Sequence, residues 1–200
     1  MAAPVLPLLL ALTAVQQARD SIVYVLSPAS RFQVETGKAG LLGFAGHSHL
    51  VSARAFSGRI VYYPDTPADS HVQIVVPAES LEVLTPADTA EIRKVTEAMR
   101  NEVLHVADYH IITFGSKAVT PIDAGFQLQG ELTLVGQTRD VTVDLQAEIG
   151  ADTLRATGTF SVKQTDFGIK PYRGGPAGMV RVADRVTFTL EAVGIRVQGQ

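Results

Sequence analysis

Residues 126–148 read FQLQGELTLVGQTRDVTVDLQAE, and the period of that stretch is two. Phe126, Leu128, Gly130, Leu132 and Leu134 alternate with Gln127, Gln129, Glu131, Thr133 and Val135. Beyond Gly136, Val141, Val143, Leu145 and Ala147 alternate with Thr142, Asp144, Gln146 and Glu148. Successive side chains of an extended chain point to opposite faces, so each run has one dry and one wet face. Gly136 falls where two such strands need a tight turn. The stretch reads as two half-buried antiparallel strands.

The same period extends outward in both directions. Leu154, Ala156, Gly158, Phe160 and Val162 form one more dry face, and Val186, Phe188, Leu190 and Ala192 another. Towards the N-terminus lie short extended runs at Ile22 to Leu26, stopped by Ser27-Pro28, and at Arg31 to Thr36. The ribbon Ala53 to Tyr63 places Phe56, Gly58, Ile60 and Tyr62 together, and Ser70 to Val76 follows with Val72, Ile74 and Val76. One segment differs. From Asp88 to about Leu104, Ile92, Val95, Met99 and Val103 recur at helical spacing, Asp88 and Glu91 have the arrangement of a capping box, and Pro86 lies just outside. Most connections are too short for the crossovers of a parallel sheet.

An all-β chain with one substantial helix is therefore expected. Seven or eight long strands of this kind close their apolar faces either as a sandwich or as a barrel, and a barrel also removes exposed edges. Gly58, Gly130 and Gly158 stand on dry faces. A glycine there permits sharp coiling, leaves room for something inside, or simply packs against a neighbour.

The 200 residues fit one domain, with 46% apolar and 18% charged side chains to build a core and a surface. A formal charge of −3 argues against binding nucleic acid mainly by charge. Cysteine is absent, which excludes disulfides, thiol catalysis and thiolate metal sites. Residues 1–18 read as a secretory signal because Val5 to Val15 is apolar and Ala14 or Ala18 is a small residue before a cut. The remaining 19–200 are expected to be a single exported domain, periplasmic or secreted. No stretch reaches the about 18 apolar residues that a bilayer-spanning helix needs.

Candidate chemistry is sparse. In Gly46-His47-Ser48-His49 an extended backbone would turn both imidazoles to one side, an arrangement metal sites use, with His71, His105 and His110 as further imidazoles. Structural histidines and a headgroup contact are the competing readings. No serine stands in a nucleophile elbow, and Asp65, Asp69, Asp88, Asp123 and Asp152 occupy turn or cap positions. The glycines of 37–43 lack the strand-loop-helix setting of a phosphate loop. No catalytic group, resident metal or cofactor is assigned.

The order of several fragments resembles the YceI-like family of secreted, lipocalin-like proteins. The resemblance runs from about Tyr24 to Val193 and begins with Tyr24, Ser30, Phe32 and Val34. It continues through Phe56-Ser57-Gly58, Pro77-Ala78 and Ser80-Leu81, and after the helix through Tyr109, Ile111 and Phe114. Gly130-Glu131-Leu132-Thr133-Leu134, Gly136, Thr138-Arg139 and Val141 follow, then Thr165-Asp166-Phe167-Gly168-Ile169 and Val182-Ala183-Asp184. The family commonly has an Arg before the Asp and Phe-Gly; here the stretch is Lys163-Gln164-Thr165-Asp166.

The resemblance implies an antiparallel lipocalin-like β-barrel enclosing an elongated apolar cavity for a polyisoprenoid or other amphiphilic lipid, without common catalytic chemistry. It also implies two strands and a tight turn over Gly130–Val141, and a bend at Asp166-Phe167-Gly168. With the dry faces, it points to Phe56, Ile60, Phe126, Leu128, Leu132, Val143, Phe160 and Phe188 as candidate lining, with Met99 or Val103 as a cap from the helix. Binding, storage or transport of such a lipid in the cell envelope, with transient membrane contact, is the expected function. An envelope interaction or stress-associated module without a permanent ligand is the alternative, and a histidine-dependent metal protein a further one.

Overall fold

Strict alternation along long strands leaves each strand one apolar face to bury, and the chain buries them all by closing on itself. The computed structural model describes residues 20–38, 48–85, 89–174 and 180–198. The signal-like segment 1–18, His47, and Pro86 and Asp88 ahead of the helix lie outside them. Among the described residues there are twelve strands; eleven are hydrogen-bonded along one continuous path, and pairing of Ile22–Leu26 with Val180–Arg196 closes the ring.

Eleven of these strands build an eight-stranded closed barrel because three of its walls are broken in two. β1 (Ile22–Leu26) and β2 (Arg31–Lys38) both run antiparallel to β12 (Val180–Arg196), either side of a kink at Ser27-Pro28. β3 (His49–Ala53) and β4 (Ser57–Tyr62) form the next broken wall, β5 (His71–Pro77) and β6 (Leu81–Val83) the third. β7 (Ile111–Ile122), β8 (Gly125–Leu134), β9 (Gln137–Ile149) and β10 (Thr153–Lys163) then continue as an up-and-down meander, and the short β11 (Arg173–Gly174) adds to β12. The β8–β9 turn has Val135 at φ 48° and Gly136 at φ 68°, the left-handed pair that a two-residue hairpin requires.

The dry-face glycines do not leave room for a ligand. A Cβ on Gly158 would lie 2.5 Å from Leu145 Cδ2, and one on Gly130 would meet the Phe114 ring at 2.8 Å. Neighbouring side chains already fill those positions, so these glycines let strands coil and pack closely.

The helical segment is split. α1 (Thr89–Ala98) passes into a π-helical turn over Met99–Val103, where the Leu104 N–H donates to the Met99 carbonyl at 2.9 Å. The wider turn takes in one extra residue. α1 leaves the end of β6 and runs beside its free edge: the Val83 N–H donates to Thr96 Oγ1 at 3.2 Å, and Arg100 donates to the Leu81 carbonyl.

Candidate functional site

The barrel's two ends differ. At one end Tyr24 is fully buried among Ile60, Leu154, Ala156 and Ala192, and its hydroxyl donates to the Gly150 carbonyl at 3.1 Å. Burial pushes the Tyr24 phenol pKa above its ordinary value. Gly194 makes room for this floor, since a Cβ there would stand 2.9 Å from Tyr24 Cβ. At the other end lie the β8–β9 turn, the segment after β10, the start of β3 and the end of β6, with α1 packed among them.

Between floor and helix the inward side chains enclose a cavity of about 890 Å³. Every wall contributes to an overwhelmingly apolar lining, such as Val51 from β3, Ile74 from β5, Phe114 from β7 and Leu190 from β12. Ile60, Phe126, Leu128, Leu132, Val143, Phe160 and Phe188 line it, as do both Met99 and Val103 from the π turn. Phe160 and Phe188 stack at 4.8 Å across β10 and β12. Phe56 lies outside the lining: it sits in the break between β3 and β4 and packs edge-on against Phe32, 4.9 Å between ring centres. A cavity of this size and polarity can hold a hydrophobic ligand.

The polar side chains of the lining include His49, Lys94, Gln164, Tyr172 and Arg181, from the elements that meet at the helix end. His49 Nδ1 lies 2.9 Å from the Thr85 carbonyl, which can only accept, so Nδ1 carries the proton. Gln164 Nε2 donates to the Ala183 carbonyl at 2.8 Å. His49 is thus a tethered wall residue, and His47, the other imidazole of the His-Ser-His motif, lies outside the described residues. Among the described residues no three His, Asp or Glu side chains gather closely enough to hold a metal ion.

The Thr165–Ile169 motif has a mechanical role. A 3-10 turn over Gln164–Phe167 ends at Gly168, whose φ of 73° reverses the chain. Phe167 is 1% exposed, packed with Leu132, Leu134 and Ile169. Asp184 anchors the turn by accepting from the Thr165 N–H at 2.9 Å and the Thr165 hydroxyl at 2.7 Å. Those bonds, the backbone one first, hold the Asp184 carboxyl below its usual pKa.

Sequence reading missed β3, β6 and β7 as wall strands. β7 carries a bulge between Ser116 and Ala118, so Ile112 and Phe114 face inward at even numbers and Val119 at an odd one. Two half-strands of opposite phase around Lys117 were the available signal. The bulge turns Lys117 outward to Glu131 and Asp140, at 2.7 and 2.9 Å. β3 and β6 are too short for alternation to stand out.

The YceI-like domain family matches residues 24–194, nearly the whole barrel. No curated protein sequence matches the chain. Among solved structures, BcnA of Burkholderia cenocepacia superposes with a TM-score of 0.67 at 19% identity, covering 84% of this chain and 98% of its own. A polyisoprenoid binding domain from Saccharophagus degradans, implicated in plant cell wall breakdown, gives 0.58 at 14%, covering 88% and 98%. The YCEI protein of Campylobacter jejuni gives 0.57 at 14%, covering 74% and 85%. At these identities the superpositions establish a shared fold.

Proposed function

This chain belongs to the YceI-like domain family, and from that premise we propose that it is a non-catalytic carrier that binds, stores or transports an isoprenoid-like or other amphiphilic lipid in the cell envelope. The observation that carries the reading is the closed barrel with its apolar cavity of about 890 Å³, within the roughly 300–1,000 Å³ range of ligand sites. A long apolar tail gains about 0.8 kcal/mol for each methylene it moves from water into such a lining, before the costs of ordering and association. The polyisoprenoid binding named for the Saccharophagus degradans domain supports an isoprenoid tail, because the two chains share this barrel. The signal-like residues 1–18 support export to the periplasm or outside, where transient contact with a membrane would load and unload the lipid.

Native mass spectrometry and lipid extraction on protein purified from its own envelope test the reading. Near-stoichiometric isoprenoid is the expected result. Protein free of lipid in both measurements, with the cavity refilled by side chains in an experimental structure, would favour an interaction module without a ligand.

A further inference from the structure

Two interruptions in the barrel wall are bridged. The free edge of β6 bonds to Thr96 of α1 and Arg100 of the π turn that follows it. At the kink between β1 and β2, the Ser30 hydroxyl accepts from the Val193 N–H at 2.9 Å and donates to the Val193 carbonyl at 3.2 Å. A third interruption has no such bridge among the described residues. β9 and β10 pair only from Ile149↔Leu154 to Leu145↔Gly158. Beyond Gly158 the two strands continue to Gln137 and Lys163, each laddered to its outer neighbour, with no strand pairing between them.

Phe167 stands at the slit they leave, lining the same outer groove as Val141, Phe160 and Val162. The 3-10 turn after β10 places Phe167 in the apolar cluster with Leu132, Leu134 and Ile169, against which Val141 of β9 and Phe160 and Val162 of β10 pack. An outer groove of about 620 Å³ runs along the slit, rimmed by Arg139, Asp140, Thr142, Ser161 and Asp166. Phe160 and Val162 line both this groove and the central cavity. The two spaces therefore meet at the same pair of side chains, through a wall without a backbone ladder.

We propose that the β9–β10 slit is a lateral portal through which an apolar lipid chain enters and leaves the cavity, with Phe167 as its movable stopper. The inference rests on the carrier reading above. Parting a laddered strand pair breaks a run of backbone hydrogen bonds, whereas parting β9 from β10 above Gly158 breaks no ladder and displaces apolar packing that an incoming chain replaces. The backbone N–H and C=O groups that β9 and β10 do not share with each other there, with the polar rim, give an amphiphile's head hydrogen-bond partners outside while its tail crosses. The stopper is itself tied by Thr165 to Asp184 on β12, so it swings from a fixed point.

The test uses the natural absence of cysteine. Thr142→Cys/Ser161→Cys places two exposed thiols on opposite lips of the slit, where a cleavable bismaleimide staples them. Uptake of an apolar naphthylamine fluorophore, and its release to lipid vesicles, are then followed by stopped-flow fluorescence. Stapling is expected to slow both rates roughly tenfold or more at unchanged affinity, as for any gate that limits exchange. Cleaving the staple restores them, and Phe167→Leu, which keeps an apolar plug, speeds exchange without staple. Equal rates in stapled and unstapled protein overturn the portal and leave the carrier reading intact. Failure of the unstapled protein to bind the fluorophore overturns both.

Discussion

Gly158 ends the β9–β10 ladder, and its missing side chain is what lets the wall coil there. A Cβ would lie 2.5 Å from Leu145 Cδ2 and 2.8 Å from the Asp144 carbonyl oxygen. The leucine can change rotamer; the carbonyl belongs to a laddered strand and cannot. Gly158→Ala is therefore expected to cost about 1–3 kcal/mol in urea unfolding, the range for overpacking a tight site. Gly115→Ala, with nothing within 4 Å of its Cβ, is expected to stay within about 0.5 kcal/mol of the parent. Equal stabilities would show that the sheet relaxes around Gly158. The position of Gly158 on a dry face was legible from alternation alone. What fills its space was not, because Leu145 comes from the neighbouring strand and its reach depends on how tightly the two strands twist.

Among the elements, α1 has the least obvious attachment. It is amphipathic, as its spacing shows, yet what fixes it is polar: Thr96, 7% exposed, accepts from the Val83 N–H, and Arg100 of the π turn just beyond it donates to the Leu81 carbonyl. A strand edge that would otherwise be orphaned is completed by helix side chains. Thr96→Val keeps shape and apolarity but leaves the Val83 N–H without its acceptor, at an expected cost of about 1–3 kcal/mol. Hydrogen exchange should show the Val83 amide losing protection well beyond that of Leu132 in the β8–β9 hairpin. Uniform loss across both would place the cost in global stability instead. Of the elements, the long strands and the helix were readable because a period repeats many times within each. β7 was hidden by its bulge at Lys117, which reverses the phase midway, and the π turn has no sequence period of its own.

For the whole molecule, an apolar space of about 890 Å³ makes stability a function of what fills it. A ligand that binds only the folded barrel raises its stability by about 2.7 kcal/mol at a hundred times its dissociation constant. A C20 isoprenoid alcohol is expected to raise the calorimetric Tm, with the shift growing as the logarithm of its concentration. A Tm independent of that alcohol would mean that the cavity does not accept it. The sequence by itself determined that strands would dominate, which residues of the long strands face inward, and where the one helix lies, because these follow from periods of two and 3.6 carried by the chain locally. It also carried the family resemblance, in the order of its fragments. Closure by β1 against β12, the stacking of Phe160 on Phe188, the displacement of Phe56 from the lining and the end of the β9–β10 pairing at Gly158 came only with the tertiary structure. Each depends on residues far apart in the chain, whose meeting is set by barrel curvature and strand register, and no local period encodes either.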